Sequence, residues 1–423
     1  MKIGFLVSRN IYFRIFGFII DAALQKSHEV FCLHDYSQPQ TGSKAYQFPL
    51  ITQAPAFLSG KAISLSFQGE QDFKNKVLQN KIQVIVSLDF IPAYFGLRKE
   101  LQEKGIFWTA LQNGFDSGPH SGEHLAMPDK FFIYSPEWLK WMFEYLKKSG
   151  KTEEADLSAF KQKTDNKVEP VGFWPAEQQK LIDAAKVRNK WAVPNGRKVV
   201  LFLPFPFGSS VDRFWTRYIY GASKVLFQLP FGFLSFRARF LKQVLKKEND
   251  LNVCKAIRRF CDENNGFLLV KSRAKDPVKP YLAKMADKVL YDESFYPSTI
   301  KECFSIADIC FNFYSTAAIE AASAGVPNVC IAPDVLDWKD INNVLWESIL
   351  GAEKDFFGWP KVSYLKTISE ILKELPQKTF EDFSLHKEQQ VKYLQKFANG
   401  NTESASFNII STIEKLVQSQ NSL

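Results

Sequence analysis

One stretch of the sequence, Ser305–Pro327, combines hydroxyl, carboxylate and small side chains in an order that suits anion binding. An apolar strand is followed by Ser315 and Thr316, then by an alanine-rich helix that carries Glu320 and stops at Gly325. We predict Ser315 as the N-cap of that helix and Gly325 as its terminating glycine. The free N–H groups and the two hydroxyls would face phosphates, while Glu320, more than one turn in, would accept hydrogen bonds from ribose hydroxyls. The alternative is a helix that ends at glycine and binds nothing.

Two cationic side chains, Lys271 and Arg273, stand at the end of the apolar strand predicted at 266–271. A pair of cations at the end of a strand suits a diphosphate, to which arginine can bind through two hydrogen bonds. We therefore group Lys271 and Arg273 with Ser315, Thr316 and Glu320 as the candidate donor-binding residues. The alternative is a basic loop in solvent.

A polar loop after the strand predicted at 106–111 holds two of the five histidines. Transfer of a group to a hydroxyl requires a base within reach of the acceptor, and Asp116 and His120 are our candidates for that role. The loop also contains Glu123 and His124, but it lacks the fixed spacing of metal ligands, so we predict no metal site.

Two further pairs of residues come directly after predicted strands. Asn113 and Gly114 follow the strand at 106–111, and Arg9 and Asn10 follow the first strand of the chain. These positions are candidates for contact with a donor phosphate or an acidic acceptor. A surface loop is an equal alternative for Arg9 and Asn10.

All of these candidates depend on strands that are apolar on both faces and that alternate with helical stretches. Such a pattern predicts a parallel sheet covered by helices. The strands are predicted at 2–7, 28–33, 83–88, 106–111 and 130–134, and then, after a linker at Lys186–Gly196, at 198–203, 266–271, 288–291, 309–313 and 328–331. Because the alternation restarts, we predict an α/β fold of two Rossmann-like domains facing a central cleft, with ligands beyond the carboxyl ends of the strands.

The predicted organisation has three parts. Residues 1–185 form an acceptor domain, and residues 196–362 form a nucleotide-donor domain with a helical insertion at 211–250. Residues 363–423 form a helical tail, without a strand, that braces the domains.

The motif residues resemble a known family. Glu320-Ala321 and Gly325-Val326-Pro327 are similar, at the same spacing, to the donor half of GT-B glycosyltransferases. The resemblance implies that Glu320 binds the nucleotide ribose and that the preceding turn faces the phosphates. Asn312 stands eight positions before Glu320, where retaining members often carry a second glutamate, and the His-Pro pair often found near the upstream cation is absent.

The resemblance implies a metal-independent enzyme without a cofactor other than its nucleotide-sugar substrate. We expect transfer of a sugar to a carbohydrate or lipid-linked acceptor in surface-polysaccharide biosynthesis. The chain also resembles CDP-glycerol glycerophosphotransferase-like enzymes, although Asn113-Gly114 stands where they tend to have His-Gly. A CDP-glycerol or ribitol phosphotransferase, a nucleotide-sugar 2-epimerase and a non-catalytic binding protein therefore stay open as alternatives.

The net charge and composition of the chain indicate which kinds of binding partner it suits. The chain carries a formal net charge of +9, and residues 211–247 interleave basic and aromatic side chains almost without acidic ones. This composition suits peripheral contact with an anionic membrane, with a helical hairpin in the core as the alternative. No nucleic-acid motif accompanies it. No signal peptide or membrane span is evident and the six cysteines are isolated, so we expect a cytoplasmic protein, with any peripheral contact at the inner face of the plasma membrane.

Overall fold

A computed structural model gives the fold of the chain. It describes residues 1–36, 54–114, 122–154, 156–164, 167–204, 250–272, 278–291, 294–313, 315–332, 354–400 and 404–420. Within these ranges, thirteen strands form one sheet of seven and one sheet of six. Every neighbouring pair of strands in both sheets is parallel.

The first unit is built on the seven-stranded sheet. Its strands are β1 (Lys2–Val7), β2 (Glu29–Asp35), β3 (Ile63–Phe67), β4 (Val84–Leu88), β5 (Phe107–Leu111), β6 (Lys130–Ile133) and β7 (Val168–Pro170). Its helices are α1 (Phe13–Gln25), α2 (Gly69–Gln79), α3 (Tyr94–Gln102), α4 (Gly122–Ala126), α5 (Pro136–Lys148) and α6 (Leu157–Thr164). The central strands β1 and β4 are almost wholly buried, as expected for apolar strands covered by helices on both faces.

The second unit is built on the six-stranded sheet. Its strands are β8 (Lys198–Leu203), β9 (Gly266–Lys271), β10 (Lys288–Leu290), β11 (Ile309–Asn312), β12 (Asn328–Ala332) and β13 (Ser363–Thr367). The remaining helices are α7 (Ala184–Lys190), α8 (Asp250–Glu263), α9 (Pro280–Met285), α10 (Thr299–Ile306), α11 (Ala317–Ser323), α12 (Lys354–Gly358), α13 (Ile368–Glu374), α14 (Lys387–Phe397) and α15 (Ala405–Gln420).

Both sheets have the same doubly wound order. The first runs β3-β2-β1-β4-β5-β6-β7 and the second runs β10-β9-β8-β11-β12-β13. The order reverses between β1 and β4 in one sheet and between β8 and β11 in the other, which is the position where open α/β sheets bind ligands. The prediction of two Rossmann-like units is confirmed.

The structure corrects two expectations about the chain between and after the sheets. We expected Lys186–Gly196 to be linker, but Val187 and Trp191 lie in the core of the second unit. We expected no strand in the tail, but β13 pairs with β12 at the edge of the second sheet. This edge strand is only half buried and lacks an apolar run, which explains why its composition gave no signal.

The tail beyond β13 returns to the first unit. In α15, Ile410 and Ile413 are buried in the same core as α1. Glu414 accepts hydrogen bonds from Lys26 at 2.6 Å and contacts His28 at 2.8 Å. The last helix of the chain therefore covers the first.

The predicted insertion at 211–250 lies outside the described residues except for Asp250, which begins α8. The structure therefore does not test membrane contact through 211–247. Among the described residues, no helix has both the length and the apolar content that a membrane span requires.

Candidate functional site

A cleft lies where the two units meet. Its lining comes from both units and includes Arg14, Asn113, Gly114, Tyr134 and Phe173 from the first and Ser298, Lys301, Thr316 and Glu320 from the second.

The topology explains why these residues meet. Asn113 and Gly114 follow β5, Tyr134 follows β6, and Thr316 follows β11. Since the strands of each sheet are all parallel, their carboxyl ends lie along one edge, and the two edges face each other across the cleft.

The central feature of the cleft is an ion pair between α10 and α11. Lys301 Nζ lies 2.8 Å from Glu320 Oε2, and the two side chains are 2% and 17% exposed. Burial raises the pKa of Glu320, but the charges of Lys301, Arg14 and Lys271 outweigh this effect, so its pKa lies below the usual value. Burial lowers the pKa of Lys301, against the opposing effect of Glu320. Glu320 is therefore held as a carboxylate beside several cations.

Arg14 brings a second cation to this pair from the other unit. It lies in the first turn of α1, and its charge lowers the pKa of both Lys301 and Glu320. The ring of Phe173, also from the first unit, lies 5.5 Å from Lys301 Nζ. The electrostatics of the cleft therefore depend on how the two units are placed against each other.

One buried side chain, Gln178, links the two units beside the cleft. Its Nε2 donates hydrogen bonds to the carbonyl oxygens of Phe13, at 3.3 Å, and Arg14, at 2.8 Å. Its Oε1 accepts a hydrogen bond from the Ser298 N–H at 2.9 Å. Gln179, the next residue, donates to the Lys301 carbonyl oxygen at 3.3 Å. The segment that contains Gln178 and Gln179 therefore fixes the start of α1 against the start of α10.

The turn before α11 differs in detail from the prediction. The helix begins at Ala317 with Thr316 as its N-cap, one residue later than expected, but Thr316 makes no side-chain capping hydrogen bond. The Ser315 hydroxyl accepts a hydrogen bond from the Ala317 N–H at 3.2 Å, and the Ser315 N–H donates to Asn312 Oδ1 at 3.1 Å. Asn312 therefore shapes the turn.

The predicted end of this helix is observed. Gly325 follows the C-terminal cap of α11 with φ of +75°, a left-handed conformation that side chains other than glycine rarely adopt.

Of the predicted donor-binding residues, Glu320 and Thr316 line the cleft, and Ser315 lies beside them in the turn. Lys271 is buried at the end of β9, close enough to lower the pKa of Glu320. Arg273 lies outside the described residues.

The candidate residues of the first unit also lie partly in the cleft and partly outside the described residues. Asn113 and Gly114 line the cleft, and both proposed bases, Asp116 and His120, lie outside the described residues.

The loop after β1 does not line the described cleft, because the chain continues past it into α1. Arg9 is exposed, Asn10 is buried, and Arg14 from the same stretch is the side chain that reaches the cleft.

Sequence reasoning missed Lys301 and Gln178. A signal for Lys301 was present, because a lysine in the first turn of a helix opposes the helix dipole. Nothing in the sequence distinguishes Gln178 from other polar residues, since its role arises from contacts more than 100 positions away.

Comparison with known proteins finds similar structures but no similar sequences. No protein-family model matches the chain, and no curated protein matches it in sequence. The wall teichoic acid polymerase TagF has a similar structure over 99% of this chain and 89% of its own, at 12% identity and a TM-score of 0.56. The UDP-GlcNAc 2-epimerase of Methanocaldococcus jannaschii is similar over 98% of this chain and 100% of its own, at 11% identity and a TM-score of 0.55.

The chain has the GT-B fold. Staphylococcus aureus MnaA, in a co-structure with UDP, also shares it over 99% of this chain and 97% of its own, at 12% identity and a TM-score of 0.51. At these identities the likeness concerns the fold, so any function has to be argued from the residues of the cleft.

Proposed function

We propose that this protein is an enzyme that binds a nucleoside-diphosphate-linked donor in the cleft between its two units. The observation that carries the proposal is the approach of Arg14, from the first unit, to the Lys301–Glu320 pair of the second. Two cations and one carboxylate leave a local excess of positive charge in a partly buried site. An anionic ligand such as a diphosphate would balance that charge.

Each residue of the cleft has a proposed role. Glu320, with one oxygen on Lys301, accepts hydrogen bonds from the ribose through its second oxygen. Arg14 and Lys271 balance the phosphates, and Ser315 and Thr316 contact them through their side chains. Helix α11 has seven residues, so the assignment depends on these side chains rather than on a helix dipole.

The preferred reaction is transfer of a sugar to a carbohydrate or lipid-linked acceptor in surface-polysaccharide biosynthesis, by a metal-independent glycosyltransferase. The first unit would hold the acceptor, with Asp116 or His120 as the base and Asn113 and Gly114 at its edge. The fold, the two-sided cleft and the glutamate motif support this reaction.

Two other reactions are compatible with the fold. One is that of a CDP-glycerol or ribitol phosphotransferase, since the wall teichoic acid polymerase TagF has a similar structure. The other is a reaction on the donor alone, since a UDP-GlcNAc 2-epimerase has a similar structure.

The first test is a thermal-shift screen of UDP, GDP, CDP and CMP against the wild type and Glu320→Ala. A ligand that binds the native state raises the melting temperature, so a shift with one base that shrinks in the variant supports the donor site. A flat response across the panel for the wild type contradicts the proposal.

Product analysis then separates the three reactions. A glycosyltransferase releases a nucleoside diphosphate only when an acceptor is present. A CDP-glycerol phosphotransferase releases CMP, and an epimerase changes the donor sugar without any acceptor.

A further inference from the structure

The Ser298 side chain is an exception among the buried polar groups of the cleft. The residue is 3% exposed and lines the cleft, yet its hydroxyl oxygen has no hydrogen-bond partner within the described part of the chain. Ser298 is the N-cap residue of α10, but its side chain makes no capping hydrogen bond. A buried hydroxyl without a partner destabilises a fold, so its presence in a cleft points to a partner that arrives from outside.

The surroundings of Ser298 indicate the chemistry of that partner. Gln178 Oε1 accepts a hydrogen bond from the Ser298 N–H and fixes its backbone, while Lys301 lies three residues further along the same first turn. Arg14 enters the cleft from the opposite unit and is linked to the same glutamine. Lysine and arginine side chains only donate hydrogen bonds, so the group that joins them is an acceptor.

The charges of the cleft favour an anion over a neutral acceptor. The charge of Arg14 lowers the pKa of Lys301, and Glu320 supplies one negative charge at 2.8 Å from Lys301 Nζ. An oxygen with negative charge would relieve the repulsion between the two cations and would accept a charge-assisted hydrogen bond from the serine hydroxyl.

We propose that Ser298 is a ligand-contacting residue that donates a hydrogen bond to a phosphate oxygen of the donor diphosphate, together with Arg14 and Lys301. This inference rests on the proposed function and deepens it, because it places the phosphates between α1 and α10 as well as at the turn before α11. It follows that the site prefers a nucleoside diphosphate to the corresponding monophosphate.

Replacing Ser298 with alanine should weaken ligand binding without lowering the stability of the ligand-free protein. Without ligand, the melting temperature of Ser298→Ala stays the same or rises, because the change removes an unpaired buried hydroxyl and no capping bond is lost. With ligand, the affinity falls about tenfold, as expected for the loss of one hydrogen bond to a charged group. A serine with a merely structural role would show the opposite pattern.

The experiment is calorimetric titration of the full chain with inorganic pyrophosphate and with the nucleoside mono- and diphosphates of each base. Ser406→Ala is the matched control, because Ser406 is equally buried but lies in α15 and does not line the described cleft. The expected result is weaker binding of diphosphate or pyrophosphate to Ser298→Ala alone.

The outcomes separate this inference from the proposed function. If nucleotides bind wild type and Ser298→Ala equally, the inference is wrong and the proposed function stands. If pyrophosphate binds and is lost in Ser298→Ala while no nucleotide binds, the anion site stands and the proposed function fails. A marked fall in the melting temperature of ligand-free Ser298→Ala, or no binding of any probe to the wild type, overturns the inference.

Discussion

Lys301 Nζ and Glu320 Oε2 lie 2.8 Å apart, and they join the first turn of one helix to the middle of the next in the cleft. The lysine is 2% exposed, so its charge depends on this carboxylate. In a buried pair of this kind, removal of one partner leaves the other as an uncompensated charge. The pair therefore affects both the stability of the fold and the binding of ligands.

Replacing Glu320 with glutamine should destabilise the protein by about 3–5 kcal/mol, because Lys301 would stay buried without its carboxylate. The free energy of unfolding from urea titration measures this loss. Glu374→Gln is the control, since Glu374 pairs with Lys366 at 2.9 Å near the surface, where loss of a pair costs about 0–1 kcal/mol. Equal effects for the two variants would contradict a special role of the buried pair.

The stability that Glu320 contributes should disappear in acid. Its pKa lies below the unfolded value of 4.5, so the unfolded chain takes up the proton first as the pH falls, and the contribution is present above pH 4.5 and lost below it. We expect the stability difference between wild type and Glu320→Gln to narrow between about pH 5 and pH 3, a range in which lysine is protonated in the unfolded chain. Urea unfolding across this range is the measurement, and a constant difference would argue against a lowered pKa.

Gln178→Met should weaken nucleotide binding about tenfold, because it removes the hydrogen bonds that hold Arg14 and Ser298 in place. The expected loss of stability is about 1–3 kcal/mol, from the buried groups left unpaired. Gln179→Met is the control, since it loses a single described bond, to the Lys301 carbonyl oxygen. Titration well below the melting temperature of each variant separates binding from stability. Unchanged affinity in Gln178→Met would exclude a positioning role.

Gly17→Ala should loosen the contact between the units although alanine favours helices. A Cβ atom at Gly17 would collide with the ring of Tyr296, whose hydroxyl donates a hydrogen bond to Asp21 of the same helix. Gly96→Ala, in α3, has open space around the new methyl group and should gain up to about 1 kcal/mol. Thermal unfolding gives the change in melting temperature of each variant. A higher melting temperature for Gly17→Ala than for the wild type would show that Tyr296 moves aside without cost.

Most of the fold could be predicted from the sequence, because strands buried on both faces leave continuous apolar runs. Strands such as β1, β8 and β9 match the predicted ranges to the residue. The edge strands β3 and β13 gave no such signal, since they are only partly buried and contain polar residues beside the apolar ones. Their pairing is decided by the neighbouring strand rather than by their own composition.

The site was predictable only where it follows a local pattern. Glu320 and Thr316 belong to a short motif with recognisable helix start and stop residues, and both line the cleft. Lys301 and Gln178 are placed by contacts between segments far apart in the sequence, and the spacing of residues along one segment carries no information about such contacts.

The position of α15 has a consequence for the order in which the protein is made. One part of the cover of α1, which includes Ile410 and Ile413, is synthesised nearly 400 residues after α1 itself. Domains generally fold as they emerge, so until α15 is made the surface of α1 that it covers lacks this native partner. Completion of the first unit is therefore coupled to the synthesis of α15, and the nascent first unit is a candidate client for chaperones that shield apolar helices.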